Sequence, residues 1–247
     1  MPTRFRVWGQ YGLFTRPEMK VEKVSYDIIT PSAARGICDA IFWHPGLRWV
    51  IDRIIVCNPI RFTSVRRNEV KAVVNSRAAR TVMEGRGNGS LYIATPNEIQ
   101  QRASLLLRDV SYVIEAHFEM TDKAAPSDNP GKFQDIMTRR IRKGQAYHQP
   151  CMGCREFPAH FAPCETLPPC PEELRGRRDL GYMLYDMDYS DPQDIRPLFF
   201  RAVLEDGVLT VPPRDSKEVI GSSSKPSSPT TRPWPPGGNC PSLAGRR

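Results

Sequence analysis

The apolar positions change period several times along the chain, and each change predicts an element. Residues 4–8 alternate polar and apolar as Arg4-Phe5-Arg6-Val7-Trp8, the period of a short strand. Thr30-Pro31 then marks a helix start, because Thr30 can accept a backbone N–H and Pro31 fits the first helical position without losing a needed donor. Ala33, Ala34, Ile37, Ala40 and Ile41 recur at helical spacing until Trp43-His44-Pro45 stops the run. Residues 48–63, centred on Trp49 to Val56, read as one strand, and a long polar stretch follows to about residue 102. A second clear strand covers Val110 to Glu119. Asp128 or Asn129 caps a second helix with Pro130 in its first turn and Phe133, Ile136, Met137 and Ile141 on one face.

Strand, helix, strand, strand, helix, strand is the ferredoxin-like order, β-α-β-β-α-β, also described as RRM-like. From about residue 146 the pattern changes to short β-leaning segments separated by Pro and Gly turns, such as 181–185 and 197–204. Asp206-Gly207 is a hairpin signal because a tight turn needs positive φ. The expected class is α+β: a ferredoxin-like domain over residues 1–145 and a smaller antiparallel β domain over 146–220. Residues 221–247, rich in Ser, Pro and Gly with Trp234 as their one aromatic, are expected to form a disordered tail.

Composition adds boundaries. Of 247 residues 40% are apolar and 25% charged, as in ordinary globular proteins. No run of about eighteen apolar residues exists and no apolar stretch follows Met1-Pro2-Thr3-Arg4, so the expectation is a cytoplasmic protein with no membrane span. Seven cysteines are an odd number for a disulfide framework, and thiols are expected to stay free. Cys151-Met152-Gly153-Cys154 is followed by Cys164 and Cys170 at spacings unlike a second zinc knuckle, so neither metal nor cofactor is expected. The net charge is +8, but the last twenty-seven residues carry four cations and no acid, leaving +4 for residues 1–220. The local distribution of charge therefore matters more than its total.

Three places concentrate that charge. Residues 64–90 hold Arg66, Arg67, Lys71, Arg77, Arg80 and Arg86 and end in Gly85-Arg86-Gly87-Asn88-Gly89, the composition of a mobile loop that tracks a phosphate backbone. Arg139, Arg140, Arg142 and Lys143 form a basic face on the second helix, which reads equally well as a solvated face. Arg155 is either a phosphate contact or half of an ion pair with Glu156 or another acid. Tyr11, Phe14 and Tyr26 are candidates for base stacking or for plain core packing.

Phe5-Arg6-Val7-Trp8-Gly9, Phe14-Thr15-Arg16-Pro17-Glu18-Met19, the run from Tyr26 to Ile37, Gly131-Lys132 and Gly153-Cys154-Arg155-Glu156-Phe157 together carry a resemblance over residues 4–219. The chain resembles the fifth family of CRISPR-associated (Cas) proteins in its type I-C subtype. That resemblance implies the ferredoxin-like order and an endoribonuclease that cuts precursor CRISPR RNA without metal. In such a reaction a ribose 2′-OH attacks the adjacent phosphorus, which requires proton transfer and a cation for the phosphorane. The family supplies these from a Tyr just before the Trp that follows the first helix and from a Lys-His pair opening the second.

Here those positions read Phe42, Lys132 and Phe133. A phenyl ring neither gives nor takes a proton, so only Lys132 survives, as a phosphate-ligand candidate at the start of a helix. Of the four histidines, His44 and His148 are candidates to act with Lys132, whereas His117 reads as a satisfied sheet residue and His160 as a loop residue. The two phenylalanines leave a second reading open, a non-catalytic RNA-gripping subunit. The implied partners are the repeat hairpin and 5′ handle of the RNA, the large and backbone subunits of the interference complex, and duplex DNA as a further candidate.

Overall fold

A computed structural model describes residues 2–19, 21–86, 91–191 and 193–221. The expected tail and the Gly87-Asn88-Gly89 part of the basic segment lie outside the described residues. Among the described residues nine strands run as β1 Thr3–Gly12, β2 Lys23–Val24, β3 Leu47–Val56, β4 Phe62–Val70, β5 Ile99–Met120, β6 His160–Pro163, β7 Arg177–Asp188, β8 Arg196–Glu205 and β9 Val208–Thr210. Among the same residues three α-helices intervene: α1 Pro31–Ile41, α2 Ser76–Met83 and α3 Pro130–Lys143.

The sheet order is β6-β1-β5-β3-β9-β8-β7, and β2 and β4 pair with β5 beside this path. β5 is the spine: its second half pairs antiparallel with β1 on one side and β3 on the other, while its first half pairs antiparallel with β4. The expected strand over 48–63 and the expected polar stretch are both corrected by this arrangement. β3 ends at Val56, residues 57–61 break the pairing, and the chain resumes alongside β5 as β4. β4 is hard to see in sequence because neither face of it is core: its residues alternate exposed and half-buried.

The helices form where their caps predicted. Thr30 accepts the Ala33 N–H at 3.2 Å ahead of Pro31, and Asn129 accepts the Lys132 N–H at 2.8 Å ahead of Pro130. Gly144, at φ 62°, closes α3 in the left-handed conformation that favours glycine. Ala34, Ile37, Cys38 and Ile41 of α1 join Phe133, Met137 and Ile141 of α3 against Phe5, Val7, Ile54 and Ile114 of the sheet. Asp206 and Gly207 make the two-residue turn expected between β8 and β9, both at positive φ. β9 in turn pairs with β3, and Phe200, Leu204 and Leu209 belong to the same buried cluster as Phe5.

Candidate functional site

The end of α1 meets the start of α3 at one corner of the sheet. The chain leaves α1 through Phe42 in extended conformation, and its carbonyl accepts the Trp49 indole N–H at 2.8 Å. The Phe42 ring meets Phe133 edge-on at 5.7 Å, and Phe133 also touches Phe118 at 6.1 Å. Only 5% of Phe42 and 1% of Phe133 is exposed. The positions at which the resemblance places a Tyr and a His are therefore a closed aromatic pair inside the core, offering no group to a substrate.

Polar groups gather above that pair. His44 lies against the Phe133 ring at 4.9 Å, and its Nδ1 accepts the Gly46 N–H at 3.0 Å. This bond assigns the proton of the neutral imidazole to Nε2. Asp128, with 3% of its side chain exposed, accepts from Lys132 Nζ at 2.9 Å and from the Ala125 N–H at 3.0 Å. Its other contact is to His44 Nδ1, 3.8 Å from Asp128 Oδ2. The Lys132 hydrogen bond, with the Ala125 N–H, holds this carboxyl below the usual carboxylate range. Two interlocked loops fix the arrangement: Thr121 donates from its backbone to Gly46 and from its hydroxyl to the Pro45 carbonyl. Trp43, 59% exposed, stands between the buried Phe42 and His44.

The backbone N–H groups of Tyr147 and His148 both donate to the Ala40 carbonyl, which ties the segment after α3 to the end of α1. Among the described residues no side-chain hydrogen bond or ion pair joins His148 to Asp128 or Lys132. The structure thus brings His44 and Lys132 together around Asp128, and His148 takes no part in that set of contacts. Asp128 was read from sequence only as a cap; its position four residues before Lys132 was the available signal.

The basic candidates divide into tied and open groups. Arg67 pairs with Glu156 at 2.6 Å and donates to the Ser104 hydroxyl, so it anchors β4 to the 153–157 segment. Arg140 donates to the Ile41 carbonyl and lies over the Phe42 ring at 5.2 Å, joining α3 to α1. Lys71 stands 3.8 Å from Glu98 and Arg86 3.6 Å from Glu84, both at the surface. Arg66, Arg139, Arg142, Lys143 and Arg155 are exposed and, among the described residues, form no ion pair. The segment expected as a mobile basic loop holds β4 and then α2, which is capped by Asn75 and buries no residue.

Tyr11 is half-buried and meets Phe157 edge-on at 6.0 Å, while Phe14 and Tyr26 are core residues and unavailable for stacking. Gly153 explains the 153–157 segment: at φ 85°, a Cβ there would lie 2.0 Å from the Leu13 carbonyl oxygen. Met152 meanwhile accepts the Leu13 N–H at 3.0 Å. This turn therefore latches the exit of β1, and through Glu156 it also holds the β4 ribbon. His117 hydrogen-bonds Asp52 at 2.8 Å on the sheet surface, as expected.

Comparison with known proteins adds four findings. The family model of the CRISPR-associated protein Cas5, in its Cas5d form, matches residues 4–212. A curated CRISPR pre-crRNA endoribonuclease Cas5d from Mannheimia succiniciproducens is 50% identical over 220 residues, covering 87% of this chain and 97% of the relative. A protein of the same name from Thermus thermophilus is 37% identical over 235 residues, covering 87% and 93%. Among solved structures, one described as a CRISPR-associated protein superposes with a TM-score of 0.62 at 23% identity, covering 89% of this chain and 96% of that one. That likeness concerns the fold.

Proposed function

The chain belongs to the Cas5d family of CRISPR-associated proteins, and from that premise we propose that it is a precursor CRISPR RNA endoribonuclease whose cut is made at the His44–Asp128–Lys132 corner. The activity rests on the 50% identity shared with a curated enzyme of that name. The observation that carries the site is the shared carboxylate: Asp128 holds Lys132 Nζ at 2.9 Å and stands 3.8 Å from the His44 ring. In this reading Lys132 is the cation that neutralises the phosphorane, water takes the proton of the attacking 2′-OH, and His44 in its imidazolium form gives its Nε2 proton to the leaving 5′-oxygen. The product pair is a 2′,3′-cyclic phosphate and a 5′-OH, and no metal takes part.

We read β1-α1-β3-β5-α3-β6, with sheet order β6-β1-β5-β3, as the ferredoxin-like unit of residues 1–145 completed by a strand from the segment after it. Residues 146–220 then supply its β extension. The exposed cations Arg139, Arg142 and Lys143 at the end of α3 offer phosphate contacts to a hairpin stem, which side chains read by shape rather than through its deep groove. After the cut the protein is proposed to keep the 5′ handle and to join the large and backbone subunits of a type I-C interference complex.

The test is incubation of the purified protein with its own repeat RNA in EDTA, followed by end-group analysis. One cut leaving a cyclic phosphate is expected, slowed about 10²-fold or more by Lys132→Ala and by His44→Ala. His148→Ala is expected to cut normally. Tight binding with no cut would make the protein a handle-holding subunit, with Phe42 and Phe133 as the reason.

A further inference from the structure

The sheet face turned away from α1 and α3 carries a ring cluster that the cleavage corner does not use. Along β1, Phe5 and Val7 point into the core while Arg4, Arg6, Trp8 and Gln10 point outward. Trp8 keeps 37% of its surface exposed and stacks across the β1–β6 pair on His160, with centroids 5.8 Å apart and planes 29° from parallel. The Arg6 guanidinium lies 5.7 Å from the indole centroid. Arg6 is held there by its bond to the Ser111 hydroxyl at 3.0 Å and, among the described residues, pairs with no carboxylate. Arg4, next along the same row, is by contrast consumed by Glu115 at 2.7 Å.

Core packing does not account for a tryptophan in an outward row, and an exposed indole–imidazole stack with an uncompensated guanidinium beside it has a specific complement. Its flat face takes another aromatic plane, and the cation beside it takes an anion within one nucleotide's reach. We propose that Trp8, His160 and Arg6 form a stacking platform for an unpaired base of single-stranded RNA, with Arg6 holding the adjoining phosphate. The inference rests on the reading of this chain as an RNA-binding protein and extends it to a second site. Trp8 lies about 17 Å along β1 from Thr3, at 3.3 Å per residue, and Thr3 touches Gln134 of α3 at 3.2 Å. The platform therefore lies on the strand whose start meets α3, on the sheet face opposite that helix.

The test uses the full chain in EDTA, with fluorescence anisotropy of two labelled probes, a ten-nucleotide oligo(A) RNA and a blunt RNA stem without flanks. Trp8→Ala is expected to weaken oligo(A) binding about 5- to 150-fold, the span that one stacked base carries. Trp8→Phe is expected to stay within about twofold, because a phenyl ring still stacks. Binding of the blunt stem should not change. His160→Ala, at the exposed end of β6, should weaken oligo(A) binding as well and guards against a Trp8→Ala protein that fails to fold. Wild-type affinity for oligo(A) in both alanine variants overturns the platform, as does a wild-type protein that does not bind oligo(A). Cutting of the full repeat is scored separately. A protein that never cuts yet binds oligo(A) through Trp8 keeps the platform and loses the nuclease reading.

Discussion

At the residue scale the decisive pair is Phe42 and Phe133. Their rings are packed edge-to-face beside His44 and are almost wholly buried. Placing there the histidine that the resemblance implies, as Phe133→His, would put a polar ring among Phe42, Phe118 and His44, so at least one ring nitrogen would be buried without a partner. The expected result is a loss of about 2 kcal/mol or more of stability, from the unpaired nitrogen and the smaller ring together. No gain in cutting rate should accompany it. Chemical denaturation and the end-group assay on the same variant check both halves, and faster cutting by a stably folded Phe133→His protein would refute the assignment of the chemistry to His44 and Lys132.

At the element scale the two packed helices were legible and the β4 ribbon was not, for one physical reason. Thr30-Pro31 and Asn129-Pro130 bring their own capping acceptors, and each helix turns a single apolar stripe to the core, so pattern and cap agree. Phe62 to Val70 has no buried face, so its alternation of Val65, Arg67 and Glu69 with Ser64, Arg66 and Asn68 carries no hydrophobic signal. The same limit applies to the site. Lys132 stands in a readable cap, but the partners that define its chemistry, His44 and Asp128, converge only because the loops 44–47 and 121–125 interlock.

α3 also makes a pH prediction. Asp128 titrates below its ordinary range chiefly because it accepts from Lys132, so its contribution to stability is present above about pH 4 and lost as the pH falls through the lowered value. Asp128→Asn should therefore flatten the fall in Tm between pH 5 and pH 3 relative to the unaltered protein. Parallel melting curves for the two would show that the carboxylate does not clamp the start of α3.

At the scale of the whole molecule, the late strands are joined to the early ones by hydrogen bonds, by packing and by charge. β9 pairs with β3, and the cluster that holds Phe5 and Ile54 also holds Met183, Phe200 and Leu209. The charged link is Arg35 of α1, whose Nε and Nη2 reach the two oxygens of Asp186 on β7 at 2.8 and 3.0 Å while its Nη1 takes Asp39 at 2.8 Å. Burial alone would lower the Arg35 pKa, yet the fork with Asp186 and the charge of Asp39 together outweigh it and raise the value. Burial raises the Asp39 carboxyl above its ordinary value despite its contact with Arg35. Removing the guanidinium as Arg35→Ala leaves both half-shielded acids without a counter-ion, and a loss of about 1–2 kcal/mol follows, or roughly 2–8 °C in Tm for a chain of this size. Arg35→Lys should not recover it, since one ammonium cannot span both Asp186 oxygens. Calorimetry of either variant is expected to show one transition, because a sheet shared through β3 and β9 gives the last strands no separate core. Two resolved transitions, with the second unmoved by the substitution, would mean that β7 and β8 hold themselves together and that the Arg35 fork merely decorates the contact.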